Sequence, residues 1–162
     1  MNTPAKEQLY KFLTRVDTLF AVPLSQKQDL NVLAQKFFEK ATICAEIQDN
    51  EIIGMVAGYT ESVQDGLGYI SVVAVLPEHQ GKGISKLLVN RFLEIGKAKN
   101  LKGVHLYTTK NNISALNLYK SIGFVAMNLE NEPRPNDVHL IFNFSEDFKW
   151  MYCWLPLEEE HI

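Results

Sequence analysis

What this chain has little of narrows it first. Its 162 residues include only two cysteines, Cys44 and Cys153, far apart and each in an apolar stretch. Neither has C-x-x-C spacing or a neighbouring histidine, so both read as small buried hydrophobes rather than a disulfide framework. No group of His, Cys and carboxylates has ligand spacing, so no metal is expected. No apolar run approaches the roughly 20 residues that span a bilayer. The N-terminal MNTPAKEQ lacks the charged and apolar regions of a secretory leader. A cytoplasmic protein without membrane attachment is the expectation. The formal charge is −3, so the basic excess that draws a protein to nucleic acid is missing. A local basic patch is still open at Lys82, Lys86 and Arg91. No repeat, low-complexity tract or linker breaks the sequence, so residues 1–162 read as one domain able to bury a sizeable core.

What is there is periodic. Leu9, Phe12, Leu13 and Val16 give one apolar helical face. Pro23-Leu24-Ser25 interrupts, and Ser25 stands as the cap of a second helix carrying Leu30, Leu33, Ala34, Phe37 and Phe38. Strands follow at 42–47 and 51–60 around an Asp49-Asn50 turn. A loop over 61–68 leads to a strand at 69–76, stopped by Pro77. A helix then runs from 84 to about 100, a strand over 104–109, and a helix over 113–121 ended by Gly123. Strands at 124–127, 138–144 and 149–155 complete the pattern. The order predicts an α/β fold: a mixed central sheet of about six to seven strands flanked by about four helices.

The junction between the strand at 69–76 and the next helix holds Gln80-Gly81-Lys82-Gly83-Ile84-Ser85-Lys86. Two glycines there let the backbone turn sharply and leave helix N–H groups pointing outward, a ready anion cradle. A nucleotide-triphosphate loop needs G-x-x-x-x-G-K before Ser or Thr, which this order does not supply. A dinucleotide fingerprint needs a third glycine where Lys86 stands.

Gln80, Gly83 and Ser85 fit the Q/R-x-x-G-x-G/A signature, with Ser85 in place of the final Gly or Ala. A second block, Asn112-Ile113-Ser114-Ala115-Leu116-Asn117-Leu118-Tyr119-Lys120-Ser121-Ile122-Gly123-Phe124, fits N-x-x-A-x-x-x-Y-x-x-x-G-F. Together they resemble the GNAT family of N-acetyltransferases, and the predicted element order resembles that fold throughout. The resemblance implies an acyltransferase that uses acetyl-CoA as cosubstrate. It implies that the backbone of Val73, Ala74 and Val75 pairs with the pantetheine arm, as an added strand does. The N–H groups of Gly81, Lys82, Gly83, Ile84, Ser85 and Lys86 would hold the pyrophosphate, with Gln80 opening the signature. Lys82 and Lys86 could add Coulomb attraction. Asn112 would bond the pantetheine arm besides capping its helix. Tyr119, seven residues on and on the same helical face, would protonate the departing thiolate.

The acceptor side is less defined. Some family members carry a glutamate base where this chain has Tyr69. Glu61, Asp65, Tyr69 or a water relayed along the strand with Ser71 stay open for that role. His79 falls on the cofactor side of the loop, and His105 reads as a core or surface histidine. The acceptor, a small-molecule amine by preference, should meet Asp17 to Ser25 and the loops at 61–68 and 129–137. The alternatives are a non-catalytic CoA-binding module and an acetyltransferase for protein or peptide amines. The aromatic stretch Phe148-Lys149-Trp150-Met151-Tyr152-Cys153-Trp154 could close the sheet or form a dimer face, so monomer and homodimer both stay open.

Overall fold

The spacing of Leu9, Phe12, Leu13 and Val16 folds as helix α1, Lys6–Val16, with all four side chains buried. In this computed structural model the described residues are 3–61, 63, 65–128, 131–144 and 153–155. The chain divides into two units, Met1–Tyr59 with Ile70–Leu93, and Thr60–Tyr69 with Glu94–Ile162.

In the first unit α1 is followed by short 3-10 turns and by α2, Leu30–Lys40. The cap of α2 is Asp29, not Ser25. Its carboxylate accepts from the N–H groups of Asn31 at 2.8 Å and Val32 at 3.2 Å. A cap must directly precede the first helical N–H groups, and Ser25 comes too early for that. Ser25 instead donates to the Asp17 carboxylate through its N–H at 2.9 Å and its hydroxyl at 2.6 Å. Leu33, Ala34 and Phe37 are buried, while Phe38, turned one residue further round the helix, is exposed.

Strands β1, Thr42–Gln48, and β2, Glu51–Tyr59, pair antiparallel. Asp49 and Asn50 turn between them at φ 50° and 64°, the left-handed pair that suits a two-residue hairpin. β2 is buried along its length, and its Ile52, Ile53, Met55 and Ala57 join α1 and α2 in one core. Strand β3, Leu67–Val75, adds Val72 and Ala74 to that core. Helix α3, Ile84–Ala98, begins in this unit and comes down onto Gly54. A Cβ at Gly54 would stand 2.8 Å from Ile84 Cγ2 and 3.2 Å from Val75 Cγ2.

In the second unit the first residues of β3 pair parallel with β4, Gly103–Thr109, through Leu67, Gly68 and Tyr69. Helix α4, Ile113–Ile122, leads to β5, Val125–Asn128. Strand β6, Asp137–Asn143, pairs antiparallel with all of β4 and with β5, which also pairs with β7, Cys153–Leu155. Val104, Leu106, Leu116, Phe124 and Leu140 are buried here. The strand order is β1-β2-β3-β4-β6-β5-β7, with β3 contributing to both units. Among the described residues this is the expected α/β fold, four α-helices with a mixed sheet. Residues 145–152 and the acidic run 158–160, including most of the aromatic stretch, lie outside the described residues. Among the described residues, no helix is long and apolar enough to cross a membrane.

Candidate functional site

The first unit carries the glycine turn. After β3, Pro77–His79 make a single 3-10 turn and Gln80 is extended. Gly81 and Gly83 both sit at φ 79°, a left-handed backbone that glycine adopts without strain. Nothing in the protein lies within 4 Å of a Cβ built at either position, so the approach to this backbone is clear. The N–H groups from Gly81 to Lys86 find no acceptor among the described residues, and the first helical bond is Leu87 N–H to Gly83 O, 3.1 Å. Open N–H groups at the positive end of a helix suit an anionic group such as a phosphate.

Around the turn, Lys82 and Lys86 are exposed and form no ion pair among the described residues. Arg91, their neighbour in sequence, is instead committed to Glu46 at 2.7 Å. The Gln80 side chain braces the turn: its Nε2 donates to the Val75 carbonyl at 3.1 Å. Val73 is half-buried, and Ala74 and Val75 are buried. The unit thus gathers Val73, Ala74, Val75 and everything from Gln80 to Lys86 at one end of β3.

The remaining expected residues stand on α4 in the second unit. Asn112 caps that helix, its Oδ1 accepting from Ala115 N–H at 3.2 Å. Tyr119 is 6% exposed, with its ring edge-on to Phe124 at 5.5 Å. Burial pushes its phenol well above the usual tyrosine range. Gly123, at φ 122°, closes the helix by donating to the Tyr119 and Lys120 carbonyls.

Two of the carboxylates considered as bases are occupied. Glu61 is ion-paired with Lys99. Asp65 accepts from Leu67 N–H at 2.9 Å, fixing the turn into β3. In the first unit Asp17, expected to meet the acceptor, is held by Ser25, which lowers its pKa.

Beside Tyr69 lies a cluster that sequence reasoning missed. The Tyr107 hydroxyl donates to Glu132 Oε1 at 2.5 Å, and His139 Nδ1 meets Glu132 Oε2 at 2.9 Å. His139 Nε2 meets His105 Nδ1 at 2.8 Å. The Tyr107 ring stacks on His139 at 4.2 Å, and Tyr69 contacts His105 at 5.1 Å. His139 is 4% exposed. Burial first, then the charge of His139, pushes His105 down to about 4 against the pull of Asp65 and Glu132. Burial and then the Glu132 bond raise Tyr107. The signal was the alternation of His105 and Tyr107 on one strand face. It needed the register Tyr107↔His139 to acquire meaning.

An interior strand of a mixed sheet thus leads into an open glycine turn at a helix N-terminus, an arrangement suited to an anionic group. The sequence model of the acetyltransferase (GNAT) family matches residues 8–124, and the chain belongs to that family. A mycothiol acetyltransferase of Tsukamurella paurometabola is 36% identical over 76 residues, 47% of this chain and 26% of that protein. The chain therefore matches only about a quarter of that relative's length. Among solved structures, a GNAT-family acetyltransferase from Staphylococcus aureus Mu50 superposes with a TM-score of 0.71 at 18% identity, covering 90% of this chain and 96% of that one. A Bacillus anthracis protein assigned as a streptothricin acetyltransferase, solved with acetyl coenzyme A, gives 0.56 at 21% identity over 65% and 64%. At these identities the solved structures show the fold alone.

Proposed function

We propose that this chain is an acetyltransferase that moves the acetyl group of acetyl-CoA to a primary amine by direct attack in a ternary complex. The observation that carries the reading is the turn from Gly81 to Lys86, a row of free backbone N–H groups with no side chain over the two glycines. Family membership supports acetyl transfer. A relative named for mycothiol supports a small-molecule acceptor.

In this reading the N–H groups of Gly81 to Lys86 bind the pyrophosphate, and Lys82 and Lys86 add a field that salt screens. Val73, Ala74 and Val75 pair with the pantetheine arm, the Val75 carbonyl also accepting from Gln80. The Asn112 carboxamide nitrogen donates to that arm. The amine nitrogen attacks the thioester carbon, the C–N bond forms, and a backbone N–H near Val73 steadies the oxyanion. The C–S bond then breaks as the Tyr119 hydroxyl donates to the departing thiolate, and the proton shed by the amine leaves to a base or to water.

Acetyl-CoA at 100 times its dissociation constant should stabilise the chain by about 2.7 kcal/mol, read as a rise in Tm. Gly83→Glu should abolish that rise, and a panel of amines should release CoA thiol from the wild type. No rise for the wild type, with Gly83→Glu behaving identically, defeats the cosubstrate reading. Binding without thiol release from any amine identifies a CoA-binding module, and release with peptides alone identifies a protein acetyltransferase.

A further inference from the structure

One face of α1 reaches the approach to the glycine turn. Gln8, Lys11 and Arg15, at helical positions i, i+3 and i+7, share that face. Gln8 Nε2 donates to the Asn50 carbonyl at 3.0 Å, in the β1–β2 turn. Lys11 pairs with Glu51 Oε1. Arg15 is shared between two carboxylates: its Nη1 meets Glu51 Oε2 at 3.2 Å and its Nη2 meets Glu78 Oε1 at 2.9 Å. Glu78 lies in the 3-10 turn between β3 and Gly81. The residue before that turn is fastened to β2, the Leu76 N–H donating to the Ile53 carbonyl at 2.9 Å. All of these residues belong to the first unit, as the glycine turn does.

A bare carboxylate at Glu78 would work against that turn. Three residues of chain carry it to Gly81, a span of at most about 11 Å. That is about one Debye length at roughly 0.1 M salt. A negative charge at this range opposes a row of N–H groups that attracts an anion. Glu78 keeps its charge at neutral pH, its pKa lowered first by its own backbone N–H and then by Arg15 and His79. Lys11 and Arg15 thus stand as two cations against the two carboxylates Glu51 and Glu78.

We propose that Arg15 shields the glycine turn from Glu78, so that the phosphates of acetyl-CoA approach past a neutralised carboxylate. The proposal rests on the acetyltransferase reading above. Arg15 is a positioning residue in this role, acting through Glu78. Exposed ion pairs add little to folding stability, so the effect is read in binding.

Calorimetric titration with acetyl-CoA tests the shield. In about 20 mM salt Arg15→Gln should weaken binding roughly fivefold, and in about 0.5 M salt the difference from wild type should shrink below about twofold. Arg15→Lys keeps the charge and should bind within about twofold of wild type at both salts. Adding Glu78→Gln to Arg15→Gln should restore wild-type affinity at low salt, because the carboxylate that needed covering is gone. A purely structural brace would give neither the salt dependence nor the rescue. Wild-type affinity for Arg15→Gln at low salt, or a loss that persists at high salt and in the double variant, overturns the shield while leaving the acetyltransferase reading intact. A wild-type chain that binds no acetyl-CoA at either salt overturns both.

Discussion

A phenol serves as an acid only while it keeps its proton, and burial decides that at Tyr119. The side chain is 6% exposed and its pKa is raised by desolvation, so it stays a neutral donor across the physiological range. A free thiol titrates near about 8.5, well below such a phenol. Tyr119 would therefore stabilise the developing thiolate by hydrogen bonding more than by complete proton loss. Tyr119→Phe should lower kcat by roughly 10- to 100-fold and leave the KM for acetyl-CoA within about twofold. The wild-type pH profile should show no alkaline limb from this group below about pH 10. Steady-state kinetics on the first amine found to be acetylated read both numbers. An unchanged kcat in Tyr119→Phe removes the acid from the mechanism and returns the side chain to packing against Phe124.

At the scale of elements, α3 sits where it does because β2 has no side chain at residue 54. A Cβ there would come 2.8 Å from Ile84 and 3.2 Å from Val75, both side chains already packed. Gly54→Val should push the start of α3 off the strand, at a cost of about 1–3 kcal/mol. Calorimetry should show Tm falling by several degrees, and acetyl-CoA affinity should fall as well, because the glycine turn opens α3. Lost stability with full affinity would mean that the turn holds its shape without that docking. The sequence showed the helix faces and the β1–β2 turn, because a 3.6-residue apolar period and an Asp49-Asn50 pair are local signals. The glycine turn was legible for the same reason, its residues being contiguous. The cap of α2 was misread because two capping residues, Ser25 and Asp29, precede Leu30 and only chain geometry separates them. What covers Gly54, and the meeting of His105 with His139 across 34 residues, depends on register and packing that no local pattern carries.

At the scale of the whole molecule, the buried side of His105 ties stability to pH. Burial pushes the folded His105 imidazole down to about 4, against an ordinary value near 6.5. Between those values the unfolded chain holds more protons than the folded one, so stability rises with pH. The contribution is complete above pH 6.5 and is lost as pH falls toward 4. It amounts to on the order of 2 kcal/mol, or a Tm change of roughly 5 °C for a chain of this size. A second loss should follow at lower pH. Glu51, held down mainly by Lys11, and Glu78 and Asp17, held down mainly by hydrogen bonds, all have lowered pKa values. Their contributions are present above the ordinary carboxylate range and disappear as pH falls through it. Acid unfolding should therefore run in two windows, the upper one belonging to His105. In His105→Asn the decline between pH 6.5 and 4 should flatten while the lower one persists, whatever the variant's Tm at neutral pH. Thermal melts of both proteins in half-unit steps from pH 7.5 to 3.5 measure this directly. A wild-type Tm that holds level down to pH 4.5 would show that His105 keeps an ordinary affinity for its proton and that its ring is better solvated than its half-buried position implies.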